Sequence, residues 1–96
     1  MKAYVIAVET IHDEAMFAAY RQQVVPTLEA FGGRFVVRGG ALTVMEGDWP
    51  HRRTVIIEFP SREAAEGWYA SPAYQAVIDL RKKSSDGALI IVDGPA

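Results

Sequence analysis

Residues Thr54 to Gln75 read TVIIEFPSREAAEGWYASPAYQ and predict a strand, a helix and a second helix in immediate succession. Thr54–Phe59 is β-branched and apolar, as strands inside a sheet are. Pro60 ends this strand because proline has no N–H to donate to a neighbouring strand. Ser61 carries the hydroxyl of a helix N-cap, and Ser71-Pro72 repeats the start signal because proline suits the first helical position.

The segment before this stretch predicts a strand and an amphipathic helix. Lys2–Glu9 places Tyr4, Ile6 and Val8 on one face and Ala3, Val5 and Ala7 on the other, so both faces are apolar. Asp13 is the predicted N-cap of the helix that follows. Its apolar stripe recurs at three- and four-residue spacing through Phe17, Tyr20, Val24, Leu28 and Phe31. We expect Pro26 to kink or break this helix near Val24–Pro26.

Three further apolar segments complete the pattern. Arg34–Arg38 predicts a second strand, with a bulge at Gly39-Gly40, and Ala41–Glu46 predicts that the strand resumes beyond it. Together these segments are expected to form a long hairpin with Thr54–Phe59. Ala88–Val92 is the last predicted strand.

The order β-α-β-β-α-β predicts a ferredoxin-like α+β fold, in which two helices cover one face of a four-stranded antiparallel sheet. We expect a single domain over residues 1–96. The first and last strands are apolar on both faces, and monomers rarely leave several hundred Å² of apolar surface in water. A second copy is the simplest cover, so we predict a homodimer whose sheets meet face to face around a two-fold axis, a dimeric α/β barrel.

Composition excludes several classes of function. The 96 residues contain 10 Lys+Arg and 12 Asp+Glu, a net charge of −2, which does not predict nucleic-acid binding. There is no cysteine, and His12 and His51 have no spaced third ligand, so no metal site and no cofactor are predicted. No apolar run approaches the roughly 20 residues of a membrane helix, and the N-terminal run is too short for a signal peptide. We therefore expect a cytoplasmic protein without a membrane partner.

Charged residues within the strands mark the first candidate site. If the purely apolar strand faces meet the helices, Glu58 and Arg38 both point into the space between the two sheets of the dimer. One interpretation is an ion pair that sets the dimer register. The other is a small-molecule pocket in which Glu58 and Arg38 are catalytic and Tyr4 contributes to binding.

An aromatic group near the junction of the two helices is the second candidate. Trp68, Tyr69 and Tyr74 are expected to serve in core or interface packing, or to line a binding cleft. Arg81 is expected to reach a carboxylate such as Glu58, or to lie in solvent at its helix end.

Several motifs together resemble one protein family. They are VVRGG (Val36–Gly40), ME-G-DW (Met45–Trp49), IIEFPS (Ile56–Ser61), WY-SP-YQ (Trp68–Gln75) and the Leu80-Arg81 pair. This combination spans nearly the whole chain and is similar to domain-of-unknown-function family 1330. The resemblance implies a dimeric ferredoxin-like barrel and supplies no reaction. Relatives by fold include cofactor-independent monooxygenases, haem-degrading enzymes and lactone isomerases, a likeness of fold rather than of chemistry.

Three functions remain open at this point. The first is a cofactor-free oxygenase- or isomerase-like enzyme, which predicts a cavity of roughly several hundred Å³ between sheet and helices. The second is a ligand-binding module that converts nothing. The third is a structural dimer in which Arg38 and Glu58 only set the register. The sequence does not decide whether the protein is an enzyme.

Overall fold

The computed structural model describes residues 1–96, which form four strands and four helices. In chain order these are β1 (Ala3–Ile11), α1 (Glu14–Glu29), β2 (Arg34–Arg38), β3 (Arg53–Phe59), α2 (Arg62–Ala70), α3 (Pro72–Gln75), α4 (Ile78–Lys82) and β4 (Ser85–Asp93).

All four strands belong to one antiparallel sheet with the order β2-β3-β1-β4. The two strands that are consecutive in the middle of the chain, β2 and β3, pair directly, and the first and last strands pair with each other. This is the split βαβ arrangement, so the predicted ferredoxin-like α+β class is confirmed.

The predicted helix starts are confirmed by their hydrogen bonds. The Asp13 carboxylate accepts from the Met16 N–H at 3.0 Å, and the Ser61 hydroxyl accepts from the Ala64 N–H at 3.1 Å. Ser71 caps α3 in the same way. The predicted break at Pro26 is wrong, because α1 continues to Glu29. Proline removes only its own N–H bond there, near the end of the helix, where the Thr27 hydroxyl donates to the Val24 carbonyl.

The predicted long hairpin is also wrong beyond Arg38. β2 ends there, and residues 39–52 form an exposed connection without a strand. The bulge lies between Phe35 and Val37, not at Gly39-Gly40. Gly39 instead turns the chain out of the sheet with a φ of 70°, a conformation that glycine adopts without strain.

The core lies between the helices and one face of the sheet. It contains Val5, Ala7, Val55, Ile57 and Phe59 from the central strands, packed against α1 and α2. The opposite face, here called the open face, carries Tyr4, Ile6, Val8 and Ile56, which stay partly exposed. Ile90 and Val92 extend this apolar surface and are 53% and 41% exposed.

Candidate functional site

Two charged residues lie inside the core at the end of the central strand pair. Glu9 is directly opposite Arg53 in the β1–β3 register, and its side chain is 4% exposed. The Arg53 Nε and the Glu9 Oε1 form an ion pair at 3.3 Å, but the two atoms are not aligned for a hydrogen bond, and neither has another hydrogen-bond partner. Charge attraction holds the pair together, but the buried acceptor and the buried donor are left without a hydrogen bond, which is unusual in protein interiors.

A second polar group faces the same interior from the helices. The Tyr20 and Tyr74 hydroxyls form a buried hydrogen bond of 2.9 Å, and the Arg81 Nε–H donates to the Tyr74 hydroxyl at 3.2 Å. Tyr74 is fully buried, and Arg81 is 8% exposed. These contacts hold Arg81 beside Glu9, so a helix-end arginine becomes part of the core.

A small cavity connects these groups. Water-sized molecules can place their centres within about 30 Å³ between α1 and the sheet. This space corresponds to roughly two waters. Its polar lining consists of Glu9, Tyr20, Arg21, Arg38, Arg53 and Arg81. The cavity of several hundred Å³ expected between sheet and helices is therefore wrong in size, because large side chains such as Trp68 and Phe17 fill most of that layer.

Burial and charge oppose each other at Glu9. Burial raises the pKa of the Glu9 carboxyl, and the positive charges of Arg53 and Arg81 offset only part of that effect. Burial also lowers the pKa of Arg53, against the opposing attraction of Glu9. Burial raises the pKa values of Tyr20 and Tyr74, which keeps both hydroxyls protonated. A titratable carboxyl with a shifted pKa, held beside fixed positive charge on a cavity, is typical of functional sites.

The predicted pairing of Arg38 with Glu58 is wrong, because the two residues lie on opposite faces of the sheet. Arg34 pairs with Glu58, and the extra residue Val36 then shifts the register so that Arg38 pairs with Val55 on the helix face. A one-residue insertion reverses the side of every later side chain in a strand. Arg38 accordingly donates to the Arg21 carbonyl at 3.2 Å and covers the Phe35 ring.

Glu58 is satisfied on the open face by other partners. Arg34 Nε donates to its carboxylate at 2.7 Å, and Lys2 and the Tyr4 hydroxyl each contact the other oxygen at 3.3 Å. The hydrogen bond from Arg34, with help from Lys2, holds the pKa of Glu58 below its usual range. The structure therefore brings Tyr4 to Glu58 as predicted and leaves Arg38 away from both.

The predicted aromatic group is assembled next to the cavity. The Trp68 and Tyr74 rings pack at a tilt of 39° with their centroids 4.0 Å apart, and the Tyr69 ring centroid lies 5.7 Å from that of Tyr74. The Trp68 Nε1–H donates to the Thr27 hydroxyl at 3.0 Å. Trp68 lines the interior cavity, whereas Tyr69 lines a separate surface pocket. Tyr74 does not line the cavity, but its hydroxyl accepts a hydrogen bond from Arg81, which does.

Sequence reasoning missed Glu9, Arg53 and Tyr20 as site residues. A signal for the first two was present, because Glu9 continues the alternation of Ala3, Val5 and Ala7, and Arg53 continues that of Val55, Ile57 and Phe59. A charged residue in phase with a buried apolar face predicts a buried charge.

The open face carries a larger cleft. Residues 40–46 fold over the β2–β3 end of the sheet and leave about 560 Å³, bordered by Val37, Trp49, Thr54 and Ile56. Its lining is mostly apolar. No group of three or more His, Cys, Asp or Glu side chains that could hold a metal ion is present. None of the helices combines the length and the apolar character needed to cross a bilayer.

Solved structures share this fold at low sequence identity. A protein of unknown function from Rhodopseudomonas palustris, RPA0582, has a TM-score of 0.78 at 20% identity, covering 99% of this chain and 83% of its own. SnoaB from Streptomyces nogalater, a cofactor-independent oxygenase, has a TM-score of 0.66 at 12% identity, covering 99% and 94%. A dimeric ferredoxin-like protein of unknown function from Jannaschia sp. CCS1 has a TM-score of 0.66 at 10% identity, covering 98% and 100%.

At these identities the likeness shows the fold and not the reaction. No curated protein matches the sequence significantly. The family model described as Domain of unknown function (DUF1330) matches residues 2–95, which is nearly the whole chain. The resemblance drawn from the motifs is thereby confirmed, and this protein belongs to the DUF1330 family.

Proposed function

We propose that this protein is a small-molecule enzyme that removes the proton of an enol or phenol without a cofactor and works as a homodimer. One observation carries the proposal: the buried Glu9 Oε1 and Arg53 Nε form an ion pair at 3.3 Å beside a cavity, and neither atom has a hydrogen-bond partner. A hydroxyl group complements both atoms, because its O–H can donate to Glu9 while its oxygen accepts from Arg53.

The electrostatics suit this step. The raised pKa of Glu9 makes its carboxylate a stronger base than an ordinary glutamate once it is ionised. The proton passes from the substrate oxygen to Glu9, and the resulting enolate or phenolate lies beside the positive charges of Arg53 and Arg81. An isomerase returns a proton to carbon, and a cofactor-free oxygenase lets the anion react with O₂. Both reactions begin with the same anion. The fold shared with a cofactor-independent oxygenase is consistent with this chemistry.

The open face supports the homodimer. Val37, Ile90 and Val92 are exposed at 38%, 53% and 41%, in line with partly exposed Ile6 and Ile56. Covering such a surface favours association by about 25 cal/mol per Å² of apolar area before the costs of association. A neighbour in fold is described as dimeric, which also favours a dimer here.

The test uses phenylpyruvate, whose enol form converts to the keto form with a loss of ultraviolet absorbance. We expect the wild type to accelerate this decay, with a rate that rises with pH as Glu9 ionises. Glu9→Gln should lower kcat by roughly 10²- to 10⁴-fold, the usual contribution of a general base. Glu66→Gln, the same change at an exposed helical position, should retain the wild-type rate. No acceleration by the wild type, or full activity in Glu9→Gln, would refute the proposal.

A ligand-binding function without conversion is the second candidate, favoured by the mostly apolar cleft of about 560 Å³ on the open face. It predicts that phenylpyruvate raises the melting temperature, since a ligand that binds only the native state stabilises it. In that case the enol decays at its uncatalysed rate.

A further inference from the structure

The interior cavity has room for the hydroxyl end of a substrate but not for its body. Immediately outside it lies a second pocket of about 350 Å³, here called the outer pocket, whose lining includes Tyr69, Lys82 and Asp86. Arg81 and Leu89 line both spaces. These two side chains therefore form the wall between the cavity and the surface.

This wall lies at the edge of the sheet. Leu89 lies on β4, opposite Ala7, and β4 is the edge of the sheet, so no further strand covers it. Arg81 is held by one side-chain hydrogen bond, from its Nε to the Tyr74 hydroxyl at 3.2 Å. Rotation of these two side chains would leave every strand pairing intact, so an opening here requires no change in the sheet.

The charges of the outer pocket indicate what lies there. Arg81 and Lys82 contribute two positive charges and Asp86 one negative charge, so the pocket is positive on balance; the Asp86 Oδ2 lies 3.9 Å from the His12 Nε2. The ring of Tyr69 borders the same pocket. The combination fits a carboxylate attached to an aromatic or apolar body.

Building on the proposed function, we propose that the substrate is a two-ended hydroxy acid that enters between β4 and α4. Its enol or phenol hydroxyl reaches Glu9 and Arg53, its body passes Leu89, and its carboxylate stays in the outer pocket with Lys82. Arg81 and Leu89 thus select substrates by shape, and Lys82 selects them by charge.

The test measures binding rather than turnover, with 4-hydroxyphenylacetate as the two-ended probe and 4-methylphenol as the probe without a carboxylate. In the wild type we expect 4-hydroxyphenylacetate to bind at least about tenfold tighter, as one charge-assisted hydrogen bond provides. Lys82→Met should remove most of this advantage, whereas Lys83→Met, the same change at the next residue outside the pocket, should preserve it. Amide chemical shifts in the wild type should change around Leu89 and Tyr69. Leu89→Ala should speed association of both probes.

The results that would refute the two-ended substrate differ from those that would refute the proposed proton transfer. Equal affinity for the two probes, absence of binding, or an unchanged preference in Lys82→Met would overturn the two-ended substrate. Shift changes confined to Arg21 and Arg38, on the α1–β2 side of the cavity, would overturn the entrance. Glu9-dependent enol decay can persist in each of these cases, and its loss alone would count against the proton transfer.

Discussion

Removal of one buried hydroxyl, in Tyr74→Phe, tests the polar group that holds Arg81 in the core. The ring of Tyr74 is fully buried and stays in place as phenylalanine, so no cavity of ring size is created. The change removes the hydroxyl contact to Tyr20 at 2.9 Å and the bond that the Arg81 Nε–H donates at 3.2 Å. It leaves a buried hydroxyl and a buried guanidinium N–H without partners.

The expected cost follows from these two bonds. A neutral hydrogen bond contributes about 1 kcal/mol, and one to a charged group about 1.5–3 kcal/mol. Tyr74→Phe should therefore destabilise the protein by about 3 kcal/mol. Tyr20→Phe removes only the neutral bond and should cost about 1 kcal/mol. Tyr69→Phe is the matched control, because its hydroxyl forms no hydrogen bond within the chain, and it should stay within about 0.5 kcal/mol of the wild type.

Urea unfolding followed by circular dichroism measures these differences at one fixed protein concentration, since dimer stability depends on concentration. A loss of about 3 kcal/mol moves the midpoint by roughly 2 M at the slope typical of a chain of this size, with the slope itself unchanged. Equal midpoints for Tyr74→Phe and Tyr69→Phe would show that the hydroxyl does not hold Arg81, and the described wall of the cavity would be wrong.

Three further outcomes are expected. Ile90→Lys on the open face should weaken dimerisation by roughly 100-fold or more, because it places a charge in an apolar interface. The control, Val25→Lys on α1, should leave dimerisation unchanged. Sedimentation at micromolar concentration distinguishes the two variants, and a monomeric wild type would contradict the dimer. The raised pKa of Glu9 means that the folded state binds its proton more tightly, so this group's contribution to stability is complete below its ordinary pKa of 4.5 and is lost as pH rises through the folded pKa. Glu9→Gln should abolish that decline in urea titrations across pH. The pKa of Glu58 is shifted in the opposite direction, so the contribution of Glu58 to stability is present above 4.5 and is lost as pH falls through its folded pKa. Glu58→Gln should flatten the acid side of the stability profile and leave the rate of enol decay unchanged.

The helices with recognisable capping residues and the strands with regular alternation of apolar residues could be predicted from neighbouring residues in the sequence. Ser61, Ser71 and Asp13 could be identified as caps because an N-cap needs only a side-chain oxygen and the next few N–H groups. The strand faces of β1 and β3 followed from alternation alone. Apolar residues in the 41–46 segment did not form a strand, because a strand also needs a partner, and the chain leaves β2 at Gly39.

The candidate site was harder to predict, since it depends on register. Because Val36 is an extra residue in β2, Arg38 lies on the helix face, and Arg34 is the residue that pairs with Glu58. No pattern within RFVVR indicates that insertion, because the bulge is determined by how β2 pairs with β3. Glu9 and Arg53 were visible as charges in phase with buried faces, but their pairing required the β1–β3 register.

The sequence by itself determined the order of strands and helices, the ferredoxin-like class and the family, because these follow from periodicity, capping residues and motifs along the chain. Only the tertiary structure decided which charges meet, since Glu9, Arg53, Tyr74 and Arg81 come from four separate elements. Contacts between residues far apart in the chain depend on register and packing, and a change of one residue in register exchanges the two faces of a strand.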